Sequence, residues 1–216
     1  MKKLQVKTMV LLAMLAAIAF LLVALVRIPV VMFLSYEPKD VVIAIGGFLL
    51  GPLSSFVISL VVSLLEMVTI STTGPIGAVM NLLSSCSFAC MAAVVYKRKR
   101  TLGGAVWGLA AGSVVMIGVM LLWNYLITPL YMTGTSRSDV AAMLIPVFLP
   151  FNALKAGFNA ALTLLLYKPL VRALRKTGLI ENRQSKADTS RAGLYLLAAL
   201  LLVTCILLLL VFRGII

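Results

Sequence analysis

The chain has no histidine, only six carboxylates and three cysteines among its 216 residues. Without imidazole, zinc chemistry and histidine-based acid–base catalysis have no support. An intramembrane enzyme, such as a lipid-modifying one, stands as an alternative of a different class, and Glu66 with Lys155 is the acid–base pair it would have to use. Cys86 and Cys90 fall one helical turn apart in one apolar run and Cys205 in another. That spacing reads as small buried hydrophobes rather than a disulfide or a metal site. A Walker A segment, G-x-x-x-x-G-K-[ST], is also missing. The chain therefore hydrolyses no ATP itself, and any ATP-driven task requires partners.

What is present is apolar. Hydrophobic residues make up 62% and charged residues 12%, with a mean hydropathy of +1.14, which excludes an ordinary soluble domain. Several runs are long enough to cross a bilayer, so the fold class is an all-α, multi-pass membrane protein. The first run is expected to be a span rather than a cleaved signal peptide. The net charge of +13 comes largely from Lys2, Lys3 and Lys7, the Lys97–Arg100 run, and the stretch from Lys168 to Arg191. Placing all three clusters in the cytoplasm satisfies the positive-inside rule and needs no nucleic-acid partner. Of the 19 basic residues, Arg27, Lys39, Arg137 and Arg213 then fall outside, and Lys155 lies within a helix. The expected location is the cell membrane, with a cytoplasmic N-terminus.

The stretch Pro146–Asn159 organises the rest. It is expected to open an apolar helix running on through Tyr167, with Asn152, Lys155 and Asn159 three and four residues apart on one face. A lysine and two asparagines at membrane depth should point into a protein interior or a wet cavity. The alternative is that Lys155, one to two turns inside the helix start, snorkels to the interface.

A first helix is expected from about Lys7 to Val26, with Ala13 and Ala17 in small-xxx-small spacing; that face either docks a partner or packs internally. Residues 27–40 hold two prolines and mixed charges, which exclude a regular helix and suggest a loop lying on or plugging the protein. Asp40 is expected to cap the next helix. Residues 41–70 break at Gly51-Pro52 into two helices, the first too short to face lipid. Glu66, near the end of the second, either lines a cavity or sits at the interface. After a turn at 71–77, the next helix carries Asn81, Ser84, Ser85 and Ser87, as helix–helix contacts or as a ligand wall. A glycine-studded helix from about Gly103 to Tyr125 should pack closely on its neighbours; Asn124, between Trp123 and Tyr125 and near a turn at 128–131, is either interfacial or on a pocket rim, and a polar outer loop follows over 128–146. The last apolar run, Ala192 to Phe212, reads as a lipid-facing span peripheral to any site. The expected organisation is a six-helix membrane domain over 1–176, a basic cytoplasmic linker over 177–191, and an extra transmembrane helix over 192–216.

Several segments together, Tyr36-Glu-Pro-Lys-Asp40, Gly46-Gly-Phe-Leu-Leu-Gly-Pro52, Ser71-Thr-Thr-Gly-Pro-Ile-Gly77 with Asn81, Trp123-Asn-Tyr125 and Phe151-Asn-Ala-Leu-Lys155, resemble the S components of energy-coupling factor (ECF) vitamin transporters, in particular the riboflavin-specific members. The resemblance covers about residues 5–176. It implies a six-helix S-component bundle, here followed by a seventh C-terminal helix outside the family pattern. It implies that a vitamin binds near the outer face under the loop after the first helix, which acts as a lid. It implies no cofactor, riboflavin being cargo, and as partners one transmembrane coupling protein and two ATP-binding subunits. Asn124, Asn152 and Lys155 carry over as riboflavin contacts, and Ala13 and Ala17 as the coupling-protein face. Asn81, Ser35, Leu34 and Glu66 join the expected substrate-binding set, with Met32 and Phe33 beside Leu34 as apolar walls for a flat ring. Glu66 departs from the polar or basic residue expected in riboflavin members. An S component for another vitamin or precursor, such as pantothenate, is the alternative.

Overall fold

The structure is a computed structural model that describes residues 6–32, 34–71, 73–131, 134, 136–176, 191–213 and 215. Helix α1 spans Val6–Leu25. Strands β1 (Ile28–Val31) and β2 (Leu34–Tyr36) follow, then α2 (Lys39–Leu50), α3 (Pro52–Thr69), α4 (Gly74–Lys99) and α5 (Leu102–Tyr131). Helix α6 (Arg137–Met143) runs through a π-turn at Leu144–Phe148 into α7 (Leu149–Lys176), and α8 covers Arg191–Phe212. Among the described residues, six segments are long and apolar enough to cross a membrane: α1, α3, α4, α5, the continuous α6–α7 segment and α8.

Helix α2 is the exception, and it is the centre of the bundle. At 12 residues it is too short to span, and every residue from Lys39 to Phe48 is buried. It packs against α1, α3, α4 and α7, so it takes its surroundings from protein rather than lipid. Gly51, at φ +104, makes the break after it, and Pro52 opens α3 where a missing N–H costs nothing. Helices α4 and α5 close on a glycine seam. A Cβ on Gly112 would collide with the Phe88 carbonyl oxygen, and one on Gly108 would come within 2.6 Å of that of Ala92. Only glycine permits that approach, as the glycine-studded sequence suggests. On α1 the buried face is Leu11, Leu15, Ala16 and Ala19, while Ala13 and Ala17 are exposed.

The structure departs from the sequence-based expectation in four places. Ile28–Val31 and Leu34–Tyr36 are not loop but two antiparallel strands of a hairpin, pairing Ile28 with Tyr36 and Pro29 with Ser35. Helix α5 does not turn at 128–131; it continues through Pro129 to Tyr131, giving up the bond that a residue 129 N–H would make to the Tyr125 carbonyl, while Thr128 Oγ1 bonds back to Asn124 Oδ1 at 3.0 Å. The supposed outer loop contains α6, which starts at a reciprocal Ser136–Asp139 capping box, so the chain enters the Asn152 helix from a preceding helix rather than at Pro146. Asp40 caps nothing: the N-cap is Pro38, with no side-chain bond. Most of the expected linker, residues 177–190, lies outside the described residues.

Candidate ligand-binding cleft

Two adjacent residues at the start of α2 build the site. Lys39 and Asp40 are both fully buried, and successive side chains on a helix point about 100° apart, so they reach different partners. Lys39 Nζ lies 2.6 Å and 2.7 Å from the two carboxylate oxygens of Glu66 on α3 and 3.0 Å from Glu37 Oε2. Glu37 in turn meets Arg27 Nε at 3.0 Å, and Asn81 of α4 donates to Glu66 Oε2 at 2.6 Å. One relay thus joins both ends of the hairpin to α2, α3 and α4.

Asp40 faces the other way. It accepts from Ser85 Oγ of α4 and, at 3.1 Å, from Asn159 Nδ2 of α7, and Lys155 Nζ stands 3.5 Å away. Lys155 also donates to Ser84 Oγ at 3.0 Å. Asn159 Oδ1 accepts from the Tyr36 hydroxyl at 3.1 Å. Burial and the Asp40 carboxylate raise the Tyr36 phenol above its usual range, which keeps it a donor. Charges taken out of water persist only when paired and hydrogen-bonded, and each of these is. Lys155 is only 7% exposed, so it does not snorkel. Its partner is Asp40, and Glu66 belongs to Lys39.

Above this floor lies an open cleft that encloses about 1000 Å³ when the solvent space at its mouth is included. The hairpin contributes Leu34, Ser35 and Glu37, α3 Glu66, α4 Asn81 and Ser84, α5 Asn124, and α7 Asn152 and Lys155. The structure therefore brings Leu34, Ser35, Glu66, Asn81, Asn124, Asn152 and Lys155 to one place. Met32 is not with them; it is 58% exposed at the hairpin tip. Phe33 lies outside the described residues. Apolar walls come instead from Ile76, Met80, Met120 and Phe151, which apolar periodicity alone does not separate from ordinary packing residues. The polar stripe on α4 divides: Ser85 bonds across helices, Asn81 and Ser84 do so and also line the cleft, and Ser87 bonds its own helix at Leu83 and Ser84.

The charges lining the cleft balance, Arg27 and Lys155 against Glu37 and Glu66. Asn124 uses one amide N–H on the Met120 carbonyl at 2.7 Å, and Asn152 uses one on the Phe148 carbonyl at 2.8 Å. An amide carries two donors and a two-lone-pair acceptor, so each keeps hydrogen-bonding capacity beyond its own helix. The arrangement suits an uncharged ligand with an apolar body and several oxygens. Among the described residues, no group of carboxylates and cysteines is placed to hold a metal. Cys86 and Cys90 are half-buried, and Cys205 is buried.

A family model described as "ECF transporter, substrate-specific component" matches residues 7–167. The chain is 29% identical to the "Riboflavin transporter RibU" of Staphylococcus aureus (strain TCH60), over 80% of this chain and 94% of that one. It is 27% identical to the "Riboflavin transporter FmnP" of Bacillus subtilis (strain 168), over 70% and 85% respectively. A solved structure, described as "Structure and mechanism of the S component of a bacterial ECF transporter", superposes with a TM-score of 0.65 at 30% identity, covering 78% of this chain and 98% of the solved one.

Proposed function

The chain belongs to the family of substrate-specific components of ECF transporters, and from that premise we propose that it captures riboflavin in the cleft between the hairpin and α3, α4, α5 and α7. It is a multi-pass membrane protein and a transport subunit, not an enzyme. Membership implies association with the transmembrane and ATPase modules of such transporters. In our reading these are one coupling protein and two ATP-binding subunits, the N-terminus is cytoplasmic, the cleft opens to the outside, and the exposed Ala13–Ala17 face of α1 receives the coupling protein. Small residues let a second helix approach closely in lipid, which supports that face.

The observation that carries the vitamin assignment is the electroneutral cleft wall with its amides, in a chain related to two proteins named for riboflavin transport. Riboflavin is uncharged, with a flat ring bearing carbonyls and a polyhydroxyl chain. Met80, Met120 and Phe151 offer apolar surface to the ring, and Asn81, Asn124, Asn152 and Lys155 answer its oxygens. The hairpin closes over it as a lid. Riboflavin is cargo here, and no resident cofactor is invoked.

Purified protein should carry yellow, fluorescent ligand, and ligand-free protein should quench riboflavin fluorescence on titration. Wild-type protein that fails to quench at micromolar concentrations would sink the riboflavin assignment and leave another vitamin, such as pantothenate, as cargo of the same cleft.

A further inference from the structure

Helix α8 lies beyond residues 7–167, the part that the family model matches, yet it is more than a lipid-facing anchor. Its middle is seated on α7: a Cβ added to Gly157 would come within 2.5 Å of Cys205 Sγ. Its last turns reach the hairpin. Leu209 and Phe212 pack against an apolar cluster that joins Val30, Leu34 and Tyr36 of the hairpin to α6 and α7 residues such as Val140, Phe151 and Phe158, and α8 touches β1. Arg213, just past the final helical turn, donates from Nε at 3.2 Å and from Nη2 at 2.7 Å to the carbonyl of Pro29.

Pro29 is the strand partner of Ser35, and Ser35 and Leu34 line the cleft. The same pair of strands therefore faces the ligand space and the end of α8. The planar guanidinium directs two donors at one carbonyl, and a cation is favoured at a helix C-terminus. The ends of the hairpin are also tied through Arg27, Glu37 and Lys39 to α2. The hairpin is thus held both by this ion-pair relay and by α8.

We propose that α8 is a strap on the hairpin and that Arg213 is a positioning residue, keeping the cleft covered and slowing ligand release. The strap acts through the hairpin without touching ligand, so it should govern release more than capture. The proposal rests on the reading of the cleft as the binding site. Its first test uses no ligand, so that the two can fail separately.

Spin labels at Met32 and Val79, both exposed, would report the distance from hairpin tip to α4 in full-length protein in nanodiscs. Arg213→Ala should broaden that distribution toward longer distances. Arg213→Lys, which keeps a cation beside the Pro29 carbonyl, should restore it in part. Thr204→Ala, on the exposed face of α8, should leave it unchanged. In stopped flow with riboflavin, Arg213→Ala should speed release roughly threefold to tenfold, the loss of a charge-assisted hydrogen bond at a partly wet site, with association nearly unchanged. A distance distribution identical in wild type and Arg213→Ala would overturn the strap. So would equal changes in association and release, which mean general loosening. If riboflavin does not bind the wild type, the vitamin assignment falls, and the label distances still decide the strap.

Discussion

Lys39 of α2 and Glu66 of α3 form a two-pronged ion pair, 2.6 Å and 2.7 Å, with both side chains buried. Glu66 at the same time lines the cleft and holds the amide of Asn81. A structural pair thereby fixes the position of two cleft-wall groups.

Removing one member of a buried pair leaves the other charge uncompensated and typically costs about 3–5 kcal/mol. Lys39→Met strands Glu66 and leaves Glu37 with Arg27 alone, so its thermal midpoint in detergent should fall steeply. Lys39→Met combined with Glu66→Gln should recover much of that loss. A double variant no more stable than the single one would mean that the pair is not coupled.

Lys155 and Asn152 should behave differently although they are neighbours on α7. Lys155→Ala deprives Asp40 of its cation, so stability and binding should fall together, and adding Asp40→Asn should restore stability but not affinity. Asn152→Ala leaves no charge behind. It should keep the wild-type midpoint and lose about 1–3 kcal/mol of binding, tenfold to a hundredfold in Kd by fluorescence titration. Asn124→Ala should follow Asn152→Ala. Unchanged affinity in all three would place the ligand elsewhere.

The spans, the break at Gly51-Pro52 and the glycine seam of α5 are legible in the sequence because each rests on local composition. Lys39 and Asp40 are not. Beside Pro38 they look like a solvated turn, and what makes them interior is a set of partners up to 119 residues away. The hairpin is hidden for a related reason. Its tip residue Met32 has φ +50, a conformation usually announced by glycine or asparagine, and Pro29 argues against a strand. The proper partner of Glu66 is equally hidden, because Lys155 is the one cation that the sequence alone places inside a membrane span.

The charge pattern sets an expected orientation. A cysteine placed at Ser138 should react with an impermeant thiol reagent from outside, and one at Thr101 should react only after permeabilisation. Cys86, Cys90 and Cys205 would be replaced first. The reverse labelling pattern would put the cleft on the cytoplasmic side and remove the case for outward capture.

Ala13→Trp or Ala17→Trp enlarges an exposed face of α1. Each should abolish co-purification with the coupling module and vitamin uptake, while the isolated chain binds riboflavin within about twofold of wild type, as expected for a substitution away from the site. Loss of binding by the same factor as transport would show that this face supports the cleft instead.

Helix α2 has a consequence for how the protein is made. Its 12 residues reach about 18 Å, against a hydrocarbon core of about 30 Å, and its first turn carries two charges. It cannot enter the bilayer as an independent segment during synthesis. Asp40 gains Ser85 only after α4 has emerged, and Asn159 and Lys155 only after α7. Until then this stretch must wait at the membrane surface or in the translocon's keeping. The start of α2 is therefore among the last parts to complete its contacts, and a ribosome stalled before α7 would leave Asp40 with Ser85 but without Asn159 and Lys155.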